Sequence, residues 1–143
     1  VTDVPTAAMD GEKPVIVDEA RSTLVAVIEN DEVARHALGR LLSAAGFEPA
    51  LFESAETFVA STPDRSWLCL IVDVHLAGMS GIDLQQNLRR EGDDVPVIVV
   101  TGDRTDGIRE RAEQAGCMAF LWKPFSAETI LALLGSIAGQ SHT

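Results

Sequence analysis

The chain has 143 residues, a formal net charge of −11 and an apolar content of 46%, which suits one compact domain with its own core and is too short for two of ordinary size. Its apolar residues come in short runs broken by charges, none approaching the roughly 18 residues needed to cross a bilayer. So negative a chain lacks the basic footprint that nucleic acid or anionic lipid requires, and a cation or a basic patch on a partner is its expected acquaintance.

Residues 1–22 begin VTDVPTAAMDGEKPVIVDEA, acidic and without the basic start and apolar core of a signal peptide. They read as a flexible tail in which PVIV at 14–17 could form one stray strand. From Thr23 the pattern becomes regular: TLVAVI (23–28), EPALF (48–52), WLCLIV (67–72), VPVIVV (95–100) and MAFLW (118–122) alternate with helix-like segments, the mark of an α/β sheet. In the first of these segments Leu38, Leu41, Leu42 and Ala45 form an apolar stripe at i, i+3, i+4 and i+7, with Gly46 placed to end the helix. Asp31, Ser54, Thr105 or Asp106, and Ser126 are placed to cap helices. Cys69 and Cys117 sit among apolar neighbours, as reduced, buried thiols do, and a cytoplasmic location is expected.

WLCLIV and VPVIVV are apolar throughout, as strands covered on both faces must be. Right-handed crossovers then predict a doubly wound five-stranded parallel sheet with five helices over residues 23–138, leaving 139–143 as a C-terminal tail. In such sheets the chemistry lies just beyond the carboxyl ends of the strands. Those positions hold Glu29, Asn30 and Asp31 after the first run, Asp73 after the third, Thr101 after the fourth and Lys123 after the fifth. Acids, a hydroxyl and an amine are thereby collected at one rim.

With VIENDE, LIVDVHLAGMSG, VIVVTGD and FLWKPF behind successive strands, the chain resembles the receiver domains of bacterial two-component response regulators over about residues 23–138. Motif details are similar to receivers of nitrogen-fixation-type transcription regulators. The resemblance implies the flavodoxin-like strand order 2-1-3-4-5. It also implies that Asp73 accepts a phosphoryl group, exposed before a mobile loop containing Gly78 and Gly81, with Thr101 and Lys123 contacting that group. Mg2+ would be held by Glu29, Asn30, Asp73 and the backbone carbonyl of His75. The family usually carries adjacent aspartates where Glu29 and Asn30 stand, so one anionic ligand becomes a neutral amide and weakened Mg2+ binding is expected. A register one residue later would pair Asn30 with Asp31 instead, but Asp31 is suited to capping the helix beginning near Glu32.

By the same resemblance, His75 and Asp103 tune the lifetime of the phosphoryl group, and Phe120 turns inward as Thr101 moves. A solvated loop histidine and simple core packing are the plainer alternatives. Strand periodicity puts Phe120 and Trp122 on one face, expected to adjoin the last helix. A cis bond is expected before Pro124. The implied role is that of a phosphoacceptor signalling domain with slow self-dephosphorylation, not an enzyme. Its implied partners are a sensor histidine kinase or phosphotransfer protein, a downstream effector, and a second copy docked through the fourth helix, fifth strand and fifth helix. The residues after ETILALLGSIAGQ leave no room for a helix-turn-helix, so direct nucleic-acid or membrane binding is not expected of this polypeptide, whether it stands alone or belongs to a longer regulator.

Two other classes remain open. One is a receiver-like interaction module that signals without phosphorylation, motivated by the Glu29–Asn30 pair. The other is an enzyme or flavin carrier on the same topology, which finds neither a glycine-rich phosphate loop after the first strand nor a catalytic-triad spacing.

Overall fold

The computed structural model describes residues 22–61 and 66–140. Most of the N-terminal tail, including PVIV at 14–17, and residues 141–143 lie outside the described residues. The elements alternate as Leu24–Ile28 (β1), Glu32–Ala44 (α1), Glu48–Phe52 (β2), Ala55–Ser61 (α2), Cys69–Asp73 (β3), Gly81–Arg90 (α3), Val97–Thr101 (β4), Ile108–Gln114 (α4), Ala119–Trp122 (β5) and Ala127–Gln140 (α5). The strands form one parallel sheet ordered β2-β1-β3-β4-β5. Among the described residues no helix is long and apolar enough to cross a membrane.

Local chemistry explains most boundaries. The Asp31 carboxylate accepts from Ala34 N at 3.0 Å and caps α1, and Gly46, at φ 95°, ends that helix. Ser54 and Ser126 accept from Thr57 N and Thr129 N at the starts of α2 and α5. β4 begins at Val97 because Pro96 has no N–H to give the ladder, although its carbonyl still accepts from Leu70 N. β2 tolerates Pro49 because it is an edge strand.

Three expectations need correction. Neither Thr105 nor Asp106 caps α4, which starts behind Gly107 at φ 86° without any side-chain cap; the N–H and hydroxyl of Thr105 are already donated to Asp103 Oδ1. α5 continues through Gly139 and Gln140, so the helix outruns the boundary expected at 138. Phe120 and Trp122 do share a face, but it is the face under α4, not the one under the last helix.

That last correction follows from how the two cores are divided. One face of the sheet packs Ala26, Ile28, Leu70, Val72, Val97 and Val99 beneath α2, α3 and α4, and Phe120 and Trp122 join this cluster beside Ile108 and Ala112. The other face packs Val25, Val27, Ile71, Ile98 and Val100 beneath α1 and α5, and takes Ala119 and Leu121. The side-chain period of two assigns alternate residues of β5 to opposite helices.

Candidate functional site

Three side chains from three strand ends meet at the carboxyl rim of the sheet. Glu29 follows β1, Asp73 ends β3 and Lys123 follows β5. Lys123 Nζ donates to Glu29 Oε1 at 2.6 Å and to Asp73 Oδ2 at 2.7 Å. Both carboxylates are buried, their side chains 7% and 9% exposed, whereas Lys123 keeps 29%. Burial alone pulls the Lys123 ammonium toward its neutral form, but its bonds to Asp73 and Glu29 and their negative charges outweigh that, so its pKa is raised. Two acids against one base leave a surplus negative charge in a poorly solvated place.

The backbone locks this arrangement. Lys123 N donates to Thr101 O at 2.8 Å, and the Lys123–Pro124 peptide bond is cis. His75 N donates to Asp73 Oδ1 at 3.0 Å, and Asp31 N to Glu29 Oε2 at 3.0 Å. Asp73 is therefore covered and hydrogen-bonded through both oxygens, not exposed as expected. Gly81, the first residue of α3, does not loosen the loop either: a Cβ there would stand 2.3 Å from the Asp73 carbonyl oxygen, so the residue permits a close approach of helix to strand end.

The other expected residues fall around this bridge. Thr101 is fully buried, and its hydroxyl oxygen accepts from Asp103 N at 3.0 Å, leaving the O–H to donate elsewhere. The His75 ring bonds to the Asp103 carboxylate and so joins the loop after β3 to the loop after β4. Asp103 is pulled down to about 2, chiefly by its bonds from Thr105, with His75 adding to the effect. Asn30 is exposed beside the bridge. Asp31 is committed to its cap, which leaves Glu29 as the acid that reaches Lys123. Among the described residues no group of three or more His, Cys, Asp or Glu side chains is arranged to hold a metal ion.

Phe120 stands apart from the bridge, edge-on to Trp122 with ring centroids 4.8 Å apart. Two features here were not read from the sequence. Arg104 stacks over Trp122 at 4.6 Å, tying the loop after β4 to β5. Glu56, in the first turn of α2, accepts from Met79 N at 2.8 Å in the loop after β3. Neither had a local signal: Glu56 looks like an ordinary first-turn acid, and its partner lies 23 residues away.

A family model described as the response regulator receiver domain matches residues 25–135. The chain belongs to that family. Among the receiver's relatives are the transcriptional regulatory protein FixJ of Bradyrhizobium diazoefficiens, 31% identical over 81% of this chain and 57% of its own length, and nodulation protein W of the same organism, 34% identical over 80% and 50%. The receiver is thus close to nitrogen-fixation-type regulators, and it spans about half the length of these curated relatives. The crystal structure of FixJ-N superimposes with a TM-score of 0.73 at 30% identity, covering 84% of this chain and 95% of that one. The receiver domain of a sensor histidine kinase from Pseudomonas aeruginosa, described with magnesium coordinated in its active-site cleft, shares the fold at a TM-score of 0.74 and 23% identity, over 83% of this chain and 99% of that one.

Proposed function

We propose that this receiver takes a phosphoryl group onto Asp73 from a sensor histidine kinase or phosphotransfer protein, and thereby switches a surface read by a downstream effector in the cytoplasm. The observation that carries this reading is the bridge itself: a buried carboxylate whose neighbour is a lysine, with a second acid beside it, at the rim where open α/β sheets place their chemistry.

The residues present suit Mg2+ in kind. Glu29, Asp73, the Asn30 amide oxygen and the His75 carbonyl are hard oxygen donors, and the surplus buried negative charge is what a divalent cation would neutralise. These residues would hold the ion, with Asn30 the weak member because it brings no charge. Bound there, the ion supplies neutralisation of the incoming phosphoryl oxygens.

In the transfer, an Asp73 carboxylate oxygen forms the new bond to phosphorus while the bond from phosphorus to the donor imidazole nitrogen breaks. The electron pair leaves with that nitrogen, which takes up a proton. Lys123 exchanges its bond to the Asp73 carboxylate for one to a phosphoryl oxygen, remaining a compact point charge on a flexible arm. Thr101 supplies its spare O–H to another. Hydrogen bonds that form only after transfer bias an existing two-state equilibrium, and a few kcal/mol of such difference reverses the populations. Phe120, Trp122 and the sparsely capped α4 form the reporting side. The face of α4, β5 and α5 is proposed for homodimerisation, and His75 with Asp103 for setting how long the phosphoryl group lasts.

Incubation with acetyl phosphate and Mg2+, read by intact mass, tests the reading. One added phosphoryl group is expected on the wild type and none on Asp73→Asn. If neither acetyl phosphate nor a sensor kinase adds mass to the wild type, the interaction module that works without phosphorylation, which Asn30 favours, takes its place.

A further inference from the structure

The loop between β3 and α3 carries the backbone that touches Asp73, yet it is held from outside by a residue the phosphoryl chemistry does not use. Glu56 Oε2 accepts from Met79 N at 2.8 Å. A Cβ on Gly78 would lie 2.6 Å from that same oxygen and 3.2 Å from both Cδ and Oε1, so the carboxylate occupies the space a side chain at 78 would fill. Gly78 also sits at φ 82°, a conformation that glycine adopts without penalty. A hydrogen bond and a notch, both occupied by the same carboxylate, therefore fit Glu56 to this loop.

The loop backbone is also fastened close to Asp73. His75 N donates to Asp73 Oδ1, and Gly81 N donates to Val74 O at 3.0 Å. Across the mouth the His75 ring joins Asp103. The segment from 74 to 81 is thus strung between an acid of α2 on one side and an acid of the β4–α4 loop on the other. Release at Glu56 frees the Met79 N–H and the notch beside Gly78, while the Met79 side chain stays packed on the core and accepts from Asn87 Nδ2; the backbone slack reaches His75 because only the residues from 76 to 78 separate it from Met79.

We infer that Glu56 is a positioning residue for the phosphoacceptor: by seating its carboxylate against Gly78 and Met79 it holds the loop so that the His75 backbone stays on Asp73 and at the metal-binding mouth. This rests on the reading of Asp73 given above and deepens it, assigning to α2 a part in a site otherwise built from strand ends. An exposed acid at this place needs no catalytic contact of its own, because its effect travels through one backbone N–H.

The test uses the full chain with Glu56→Ala, Glu56→Gln and Gly78→Ala, followed by amide hydrogen exchange in metal-free protein and by titration with Mg2+ alone. Glu56 is exposed, so its replacement leaves the core intact. Glu56→Ala is expected to speed exchange at Met79 and His75 and to raise the Mg2+ midpoint about fivefold, the scale of one lost solvent-exposed hydrogen bond of ordinary strength. Glu56→Gln keeps a carbonyl oxygen for Met79 N and is expected within twofold of wild type. Gly78→Ala displaces the flexible carboxylate and also strains the backbone at φ 82°, so only the part of its effect on the midpoint that runs through the Glu56 contact should vanish in the Glu56→Ala background, while the strain part remains. Unchanged exchange and an unchanged midpoint in Glu56→Ala would overturn the inference, as would equal losses in Glu56→Ala and Glu56→Gln. Should the wild type bind no Mg2+ and accept no phosphoryl group, the functional reading fails, and exchange at Met79 and His75 alone then decides the role of Glu56.

Discussion

β3 and β4 are buried along their whole length, whereas every residue of β5 is only half-buried. α3 and α1 start behind Ser80 and Asp31, which accept hydrogen bonds from the first turn, while α4, the helix over the β5 aromatics, has seven residues and no side-chain cap. One part of the sheet therefore holds Asp73, the carboxylate proposed to accept the phosphoryl group, in place, and the neighbouring part is assembled from pieces that shift at smaller cost. A receiver needs both: a fixed point for the chemistry and an edge that responds to it.

The sharpest way to break this contrast is to remove matched side chains from the two regions. Ile98→Ala, in a fully buried strand, is expected to cost about 3 kcal/mol, while Leu121→Ala on the half-buried strand costs about 1 kcal/mol because less apolar area is returned to water. Denaturant unfolding monitored at equilibrium measures both. Equal losses would mean that β5 is packed as tightly as the centre.

A smaller effect separates the buried charges from the apolar frame. Lys123→Met leaves Glu29 and Asp73 facing each other without their shared cation and is expected to destabilise by about 2 kcal/mol, less than for a wholly buried pair because Lys123 stays in touch with solvent. The pKa of Lys123 is raised in the folded state from its ordinary value of 10.5. Its contribution is therefore complete below about pH 10.5 and disappears as pH rises through the folded-state value. Stability curves of wild type and variant should run parallel from neutral pH to about pH 10 and converge above it; a gap that stays constant through the alkaline range would contradict the assignment.

Smaller still is the effect of the missing acid. Asn30→Asp restores an anionic oxygen beside Glu29 and should lower the Mg2+ midpoint about tenfold, about 1.4 kcal/mol, by charge alone. Titration of the two proteins with Mg2+ measures it, and an unchanged midpoint would remove Asn30 from the metal set.

How much of this was legible beforehand varied with the range of the interaction involved. The buried strands could be read because WLCLIV and VPVIVV are apolar on both faces, and the cap at Asp31 because its partner is three residues away. The shared face of Phe120 and Trp122 followed from periodicity, but which helix covers it depends on the winding of the entire sheet. Thr105 looked like a cap because its chemistry suits one, yet Asp103 takes its donors first. The cover over Asp73 and the contact of Glu56 with the loop are made between segments distant in the chain, and no local pattern encodes them.

Glu29, Asp73 and Lys123 are proposed to form a site that accepts a phosphoryl group with the help of a divalent cation. Intact-mass occupancy after exposure to acetyl phosphate, followed as a function of Mg2+ concentration in wild type, Asp73→Asn and Asn30→Asp, tests the proposal most directly. A saturable rise is expected in the wild type, the same rise at lower Mg2+ in Asn30→Asp, and no adduct in Asp73→Asn. An adduct that persists in Asp73→Asn, or a wild type that gains no mass at any Mg2+ concentration, would contradict it.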